Sequence, residues 1–268
     1  MPTAARILLV LAILLMAITT PARAQFEVPV GGIAIIGFNF DGSAAEDEKF
    51  SFVCTTDIPA GTDPYKTEIR FTDNGWTNTG TFRSGEGYFS WYPKADCTIG
   101  QIVTIKNKDI TGNTTNTFNL SPDGDQILVY QGFGTINHFI FALNSYGTDW
   151  QLTASDSKSS TRPTGLDSTN SIALNETDNA VYKGTKSFNS VSEGLAAIVD
   201  KTKWDSSDTV RQVMPTGSFS FGPTAIHLST FGAQTAPQPF PPFYLLALLI
   251  PPAVFYLNKR YKQKHLNR

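Results

Sequence analysis

Between residues 31 and 231 the chain alternates short apolar or β-branched runs with clusters of Gly, Asn, Asp, Ser and Pro, the pattern of an antiparallel sheet protein. Strands are predicted at Gly32–Phe40, Phe50–Thr55, Thr67–Thr72, Gly87–Tyr92, Gln101–Lys106, Gln126–Tyr130, His138–Leu143, Ser171–Leu174, Ala180–Tyr182, Ser218–Phe221 and Ala225–Phe231. In Phe50-Ser51-Phe52-Val53-Cys54 and Ile69-Arg70-Phe71, apolar and polar side chains fall on opposite faces. One helix is predicted at Ser190–Val199, where Ser190 and Glu193 form a capping-box pattern ahead of an apolar stripe that Gly194 weakens. Gly147–Asn170 is polar and rich in Ser and Thr, a long surface excursion with a short strand near Trp150–Leu152. The expected fold class is therefore all-β, a two-layer sandwich with one short helix.

Both ends depart from this pattern. Residues 1–24 place Arg6 before an apolar stretch from Ile7 to Ile18 and end in Ala22-Arg23-Ala24, which matches a secretory signal peptide with cleavage before Gln25. Residues 232–239 contain prolines and form a stalk. Residues 240–257 carry no charge and 258–268 carry five cations, the arrangement of a transmembrane helix with a basic cytoplasmic tail. Pro251-Pro252 weakens that helix, and an apolar run before a basic cluster also resembles a processed sorting segment. Residues 25–231 then form the ectodomain, at the cell surface and anchored in the membrane.

Charge sharpens the picture. The whole chain has a formal net charge of −2, but residues 25–257 hold 14 basic and 23 acidic side chains, a balance of −9. A negative field repels phosphate backbones, so nucleic acid is excluded as a partner. Cys54 and Cys97 are the only cysteines. In an oxidising compartment they would form one disulfide; otherwise they are two buried thiols. Asn113-Thr114-Thr115, Asn119-Leu120-Ser121 and Asn175-Glu176-Thr177 fit the N-glycosylation pattern, which informs only in a eukaryote.

Phe50–Val53, Asp57-Ile58-Pro59-Ala60-Gly61-Thr62 and Glu68-Ile69-Arg70-Phe71-Thr72-Asp73-Asn74-Gly75-Trp76 together resemble a β-sandwich surface domain of secreted bacterial proteins, in which a Thr-Asp-Asn-Gly-Trp motif ends the second strand. Asp123-Gly124-Asp125-Gln126-Ile127-Leu128-Val129-Tyr130, Asp178–Tyr182 and a helix followed by Trp204 extend the likeness over most of the ectodomain, with Asp63-Pro64-Tyr65-Lys66 as an insertion. The same logic is distantly similar to the lamin-tail domain, which implies an immunoglobulin-like sandwich. Neither resemblance implies catalytic residues or a cofactor; both imply accessory or surface modules, with Trp76 as a structural plug.

Candidate chemistry is sparse. The ectodomain has only His138 and His227, both expected as outward strand residues, and it lacks the zinc, thiol-redox, nucleophile-elbow and phosphate-loop motifs. No catalytic residue, metal ligand or cofactor is therefore assigned. The acids available for glycoside chemistry are Glu46-Asp47-Glu48, Asp73 and Glu86. Trp150, inside the polar excursion, is the candidate ligand-binding aromatic. The expected function is a non-enzymatic surface module for adhesion, envelope structure or ligand capture, with a glycan or a surface protein as partner. A secreted carbohydrate-active hydrolase or a carbohydrate-binding module is the alternative.

Overall fold

The computed structural model describes residues 26–41, 48–61, 66–106, 114–115, 118–133 and 136–222. The signal peptide, stalk, apolar segment and basic tail, the predicted strand Ala225–Phe231 and the acids Glu46 and Asp47 lie outside them. Among the described residues no helix is long and apolar enough to cross a membrane.

Among the described residues, eleven short strands build two main sheets and two more form a small ribbon. The first has β1 (Ile33–Asn39), β2 (Lys49–Cys54), β5 (Ile102–Lys106), β10 (Asn179–Tyr182) and β12 (Trp204–Ser207), in the order β12-β10-β1-β2-β5. The second has β3 (Ile69–Thr72), β4 (Tyr88–Trp91), β6 (Thr114–Thr115), β7 (Gln126–Phe133), β8 (Ile136–Asn144) and β9 (Ser171–Ala173), in the order β6-β4-β3-β7-β8-β9. A small ribbon pairs β11 (Ser187–Phe188) with β13 (Ser220–Phe221). The fold is all-β and sandwich-like, as the alternation predicts, but it is not purely antiparallel: β8 with β9, and β11 with β13, run parallel.

The parallel pair explains the polar excursion. A chain leaving β8 must return to the other end of the sheet before β9 can run alongside, and such a crossover takes a dozen residues or more. Residues 145–170 are that crossover, and they form no strand near Trp150. Hydroxyls and amides of the segment hold it together: Asn144 Nδ2 donates to the Tyr146 and Asp149 carbonyls at 3.1 Å, and Gln151 Oε1 accepts from the Ser160 N–H at 3.1 Å. Ser159 and Ser160 are buried as a result, although their composition reads as surface.

Between the sheets lies an aromatic core. Phe50 and Phe52 of β2 meet Phe71 of β3 at ring-centroid distances of 5.0 and 5.3 Å, and Phe71 stacks on Phe89 of β4 at 6.3 Å. Strand β1 is buried along its whole length, which is why it reads as a nearly continuous apolar run. Ser51 does not face water either; its hydroxyl is buried against Thr104 Oγ1 at 2.8 Å. On the second sheet Ile127 and Val129 enter this core, while Leu128 and Tyr130 point the other way. There they join Trp76, Phe139, Ala142 and Leu166 in a second cluster, against which Phe82, Tyr88 and Trp150 pack.

Helix α1 (Val191–Ile198) follows its capping signals. Ser190 accepts the Glu193 N–H at 3.1 Å, and Glu193 Oε2 accepts the Asn189 N–H at 2.8 Å, one residue before the usual partner of a capping box. Gly194, which costs helix propensity, is needed by packing: a Cβ there would strike the Phe221 ring. The N-terminal segment is pinned to the second sheet by Gln131, whose side chain accepts from Val28 N–H at 2.7 Å and donates to the Phe26 and Glu68 carbonyls at 3.0 Å. His138 is tied to the same segment, with Nε2 2.8 Å from the Val28 carbonyl oxygen and Nδ1 3.7 Å from Glu27.

Cys54, at the end of β2, is bonded to Cys97, with an S–S distance of 2.06 Å and a sequence separation of 43. The bridge clips the connection between β4 and β5 to the first sheet, and Ile58 and Cys97 exchange backbone hydrogen bonds at 2.9 Å beside it.

Candidate functional site

Three carboxyls gather at one end of the second sheet, and strand register places them there. β3 is flanked by β4 and β7, both antiparallel to it, with Phe71 opposite Phe89 and Thr72 opposite Leu128. The residue that follows β3, Asp73, therefore lies at the same sheet end as Glu86, just before β4, and Asp125, just before β7. Thr72 Oγ1 closes this end by donating to the Gly87 carbonyl. Asp73, Glu86 and Asp125 line a cleft of about 440 Å³ together with Arg83, Gly85, Asn119, Ser121, Pro122 and Ser157.

The two buried acids are only partly satisfied. Asp73 is 1% exposed; its Oδ2 accepts the Asn119 N–H at 2.6 Å, and its Oδ1 has no hydrogen-bond partner among the described residues. Asp125 is 2% exposed and accepts the Ser121 N–H on Oδ2 and the Gln126 N–H on Oδ1, each at 2.8 Å. Gln126 Nε2 donates to the Asp73 carbonyl and, at 3.0 Å, to the Ser157 carbonyl, which ties the crossover to the rim. Glu86 is half-buried and pairs with Arg83 at 3.4 Å.

Burial and mutual repulsion hold protons in this cleft. Burial, reinforced by the Glu86 charge and opposed by the Asn119 N–H, pushes the Asp73 carboxyl up to about 7. Burial does the same for Glu86, also up to about 7, with Arg83 opposing and Asp156 adding repulsion. Asp125 lies well above the carboxylate range, through burial first and the Asp73 charge second. For Asp73 and Glu86 the folded state binds the proton more tightly than the unfolded chain. Their contribution is thus greatest below about pH 4, the unfolded carboxyl range, and is lost as pH rises to about 7. Folding stability is expected to fall as pH rises across this window, the buried Asp73 alone contributing roughly 1 kcal/mol per pH unit and the more exposed, solvent-screened Glu86 less. Asp73→Asn should flatten that slope and stabilise the protein at pH 7.5, as urea midpoints at pH 4.5, 6.0 and 7.5 will show.

The cleft collects residues that the sequence scatters. Asp73 and Glu86 are among the acids that the sequence offers for glycoside chemistry, and the fold makes them neighbours. Asp125, Arg83 and Asn119 had no such signal, although Asp73 and Asp125 each sit at a strand end within a motif. Trp150 is elsewhere: it is half-buried against the outer-face cluster rather than standing free, and its indole N–H is buried with no partner among the described residues. Trp76 is buried, contacts Phe82 and Phe139 at 4.9 and 4.8 Å, and is stitched to the crossover by its N–H to Ser160 Oγ and by the Thr161 N–H to its carbonyl, both at 2.9 Å. Its neighbour Gly75 abuts the Ser159 carbonyl so closely that a Cβ would collide with it. Gly75→Ala should lift the crossover and speed proteolysis within residues 147–170, with the core strands still protected from hydrogen exchange.

A second groove, of about 640 Å³, lies between β4 and β5 and includes Trp91, Tyr92, Lys94 and Gln101. Trp91 is committed to the core through an edge contact with Phe52 at 5.1 Å. Among the described residues no three His, Cys, Asp or Glu side chains are placed to hold a metal ion. The chain matches no protein-family model, and no curated protein or solved structure is significantly similar to it.

Proposed function

We propose that the chain is a membrane-tethered extracellular module, an immunoglobulin-like β-sandwich displayed at the cell surface for ligand capture, adhesion or envelope structure, and without catalysis. The Cys54–Cys97 bridge carries this proposal, because such bonds persist in oxidising compartments and this one lies in a chain with an export pattern at its start and an apolar run near its end. The acidic cleft supports capture, since it offers convergent polar groups. Its partners are the membrane, through residues 240–257, and a surface protein or glycan. Cell fractionation with sequencing of both ends tests the topology. The expected result is a membrane-bound chain that starts at Gln25, with its domain open to external protease. An intact, cytosolic, soluble chain with free thiols would overturn it.

One observation favours a second reading, a carboxylate-dependent hydrolase: Asp73 and Glu86 share a cleft and hold protons up to about 7, as a general acid must. The residues lining that cleft include no aromatic platform for a sugar ring. A glycan-hydrolysis screen decides between the two. No turnover is expected; turnover lost in Asp73→Ala and Glu86→Ala would establish the hydrolase.

A further inference from the structure

We propose that the cleft bounded by Asp73, Glu86 and Asp125 is a binding site for an organic cation, an ammonium or guanidinium group such as a Lys or Arg side chain of a partner protein. The proposal rests on the reading of this domain as a capture module and names the chemistry that it captures.

Asp73 provides the argument. A carboxylate that is 1% exposed and leaves one oxygen without a hydrogen-bond donor is costly, unless a donor arrives from outside. Asp73 lines an open cleft, and the backbone N–H of Asn119 already serves its other oxygen, so Oδ1 is the atom left for a guest. Asp125 is different: both of its oxygens already accept backbone N–H groups, so it offers a guest no free acceptor. Glu86 lines the cleft with 14% of its side chain exposed, and its bond to Arg83 at 3.4 Å is long enough to be shared with an incoming donor.

Two acids that ionise near neutral pH, Asp73 and Glu86, against the single arginine of the cleft lining make the guest a cation. Among the described residues no three ligating side chains are placed to hold a bare metal ion. An ammonium or guanidinium spreads several N–H donors over a wider span, and a guanidinium can bridge two carboxylates. The cleft volume of about 440 Å³ falls in the range of small-molecule sites, about 300–1,000 Å³.

Binding should release protons. In the empty cleft the crowded acids retain them, and a bound cation would take over their role of offsetting repulsion. The charged groups acting here are Asp73, Glu86, Asp125, Arg83 and Asp156, with the Lys158–Asp123 pair at 2.9 Å nearby on the crossover and the loop before β7. Affinity is therefore expected to rise about tenfold per pH unit for each proton released as pH climbs from 5.5 toward 7, and then to level off.

The test is isothermal titration of the purified full chain, in detergent if it requires it, with Nα-acetyl-arginine methylamide and Nα-acetyl-lysine methylamide. The neutral citrulline analogue and calcium chloride serve as comparisons. Saturable binding of a cationic probe is expected, with proton release read from buffers of different ionisation enthalpy. Asp73→Asn and Glu86→Gln should each weaken binding at least tenfold, while Asp205→Asn, at a distant exposed pair with Lys183, should leave it unchanged. Should Asp73→Asn misfold, Glu86→Gln and the proton release decide. No saturable binding up to 10 mM, equal binding of citrulline, calcium binding alone, or full affinity in both cleft variants would each overturn the proposal. Because the titration uses purified protein, its failure would leave the membrane topology standing, and a failure of the topology would leave the titration standing.

Discussion

Replacing Phe71 by alanine is expected to lower folding stability by about 3–5 kcal/mol, the usual cost of emptying a large buried aromatic site. Phe71 has no exposed surface and touches Phe50, Phe52 and Phe89, so its ring is the point where β2 of the first sheet meets β3 and β4 of the second. Neighbouring strands are hydrogen-bonded and cannot close on the void, which keeps the cost near the upper end. The same change at Phe82 should cost less than half as much. That ring is only partly buried and belongs to the smaller cluster on the outer face of the second sheet. Urea denaturation with an unchanged slope and a shifted midpoint measures both. Equal losses at the two positions would mean that the two clusters are one energetic unit.

Removing the disulfide has the second large effect. Cys54 and Cys97 close a loop with a sequence separation of 43, and the chain-entropy relation gives about 4 kcal/mol for a closure of that length. Both half-cystines are buried, so the Ser/Ser pair would add the cost of two buried hydroxyls and the Ala/Ala pair is the cleaner test. The Ala/Ala variant is expected to keep its β-sheet circular dichroism at low temperature and to unfold at a much lower denaturant concentration. Reductant should shift the wild-type midpoint toward the same value and leave the variant unaffected. A midpoint indifferent to both treatments would show that the enclosed segment, which includes β3 and β4, is already constrained in the unfolded chain.

Much of the sandwich was legible because burial on one or two faces leaves a simple alternation or an unbroken apolar run. Ten of the predicted strands coincide with observed strands to within a few residues, and the helix starts at its predicted cap. The strands that escaped are of another kind. Thr114–Thr115 and Ser187–Phe188 are two residues long, and Trp204–Ser207 is mostly polar; each exists only because a neighbour offers hydrogen bonds. Crossover residues 145–170 misled for a related reason. Hydroxyl-rich sequence normally marks solvent, but here Ser159 and Ser160 satisfy their polar groups within the segment and can be buried. The cleft was legible in its parts and not as a whole. Asp73 and Glu86 stand out in the sequence as candidate acids, while Asp125 joins them only through the pairing of β3 with β7, and register between strands some fifty residues apart is a tertiary property.

The pinning of residues 26–28 by Gln131 sets a practical boundary for protein engineering. Gln131 is almost completely buried, and its side chain bonds to Val28 and Phe26 as well as to Glu68. A shortened polypeptide that begins after Val28 would leave an interior amide without two of its three partners. Affinity tags or fluorescent fusions placed before Phe26 should be tolerated, whereas trimming even three residues past that position would loosen the edge where the leading segment crosses the second sheet.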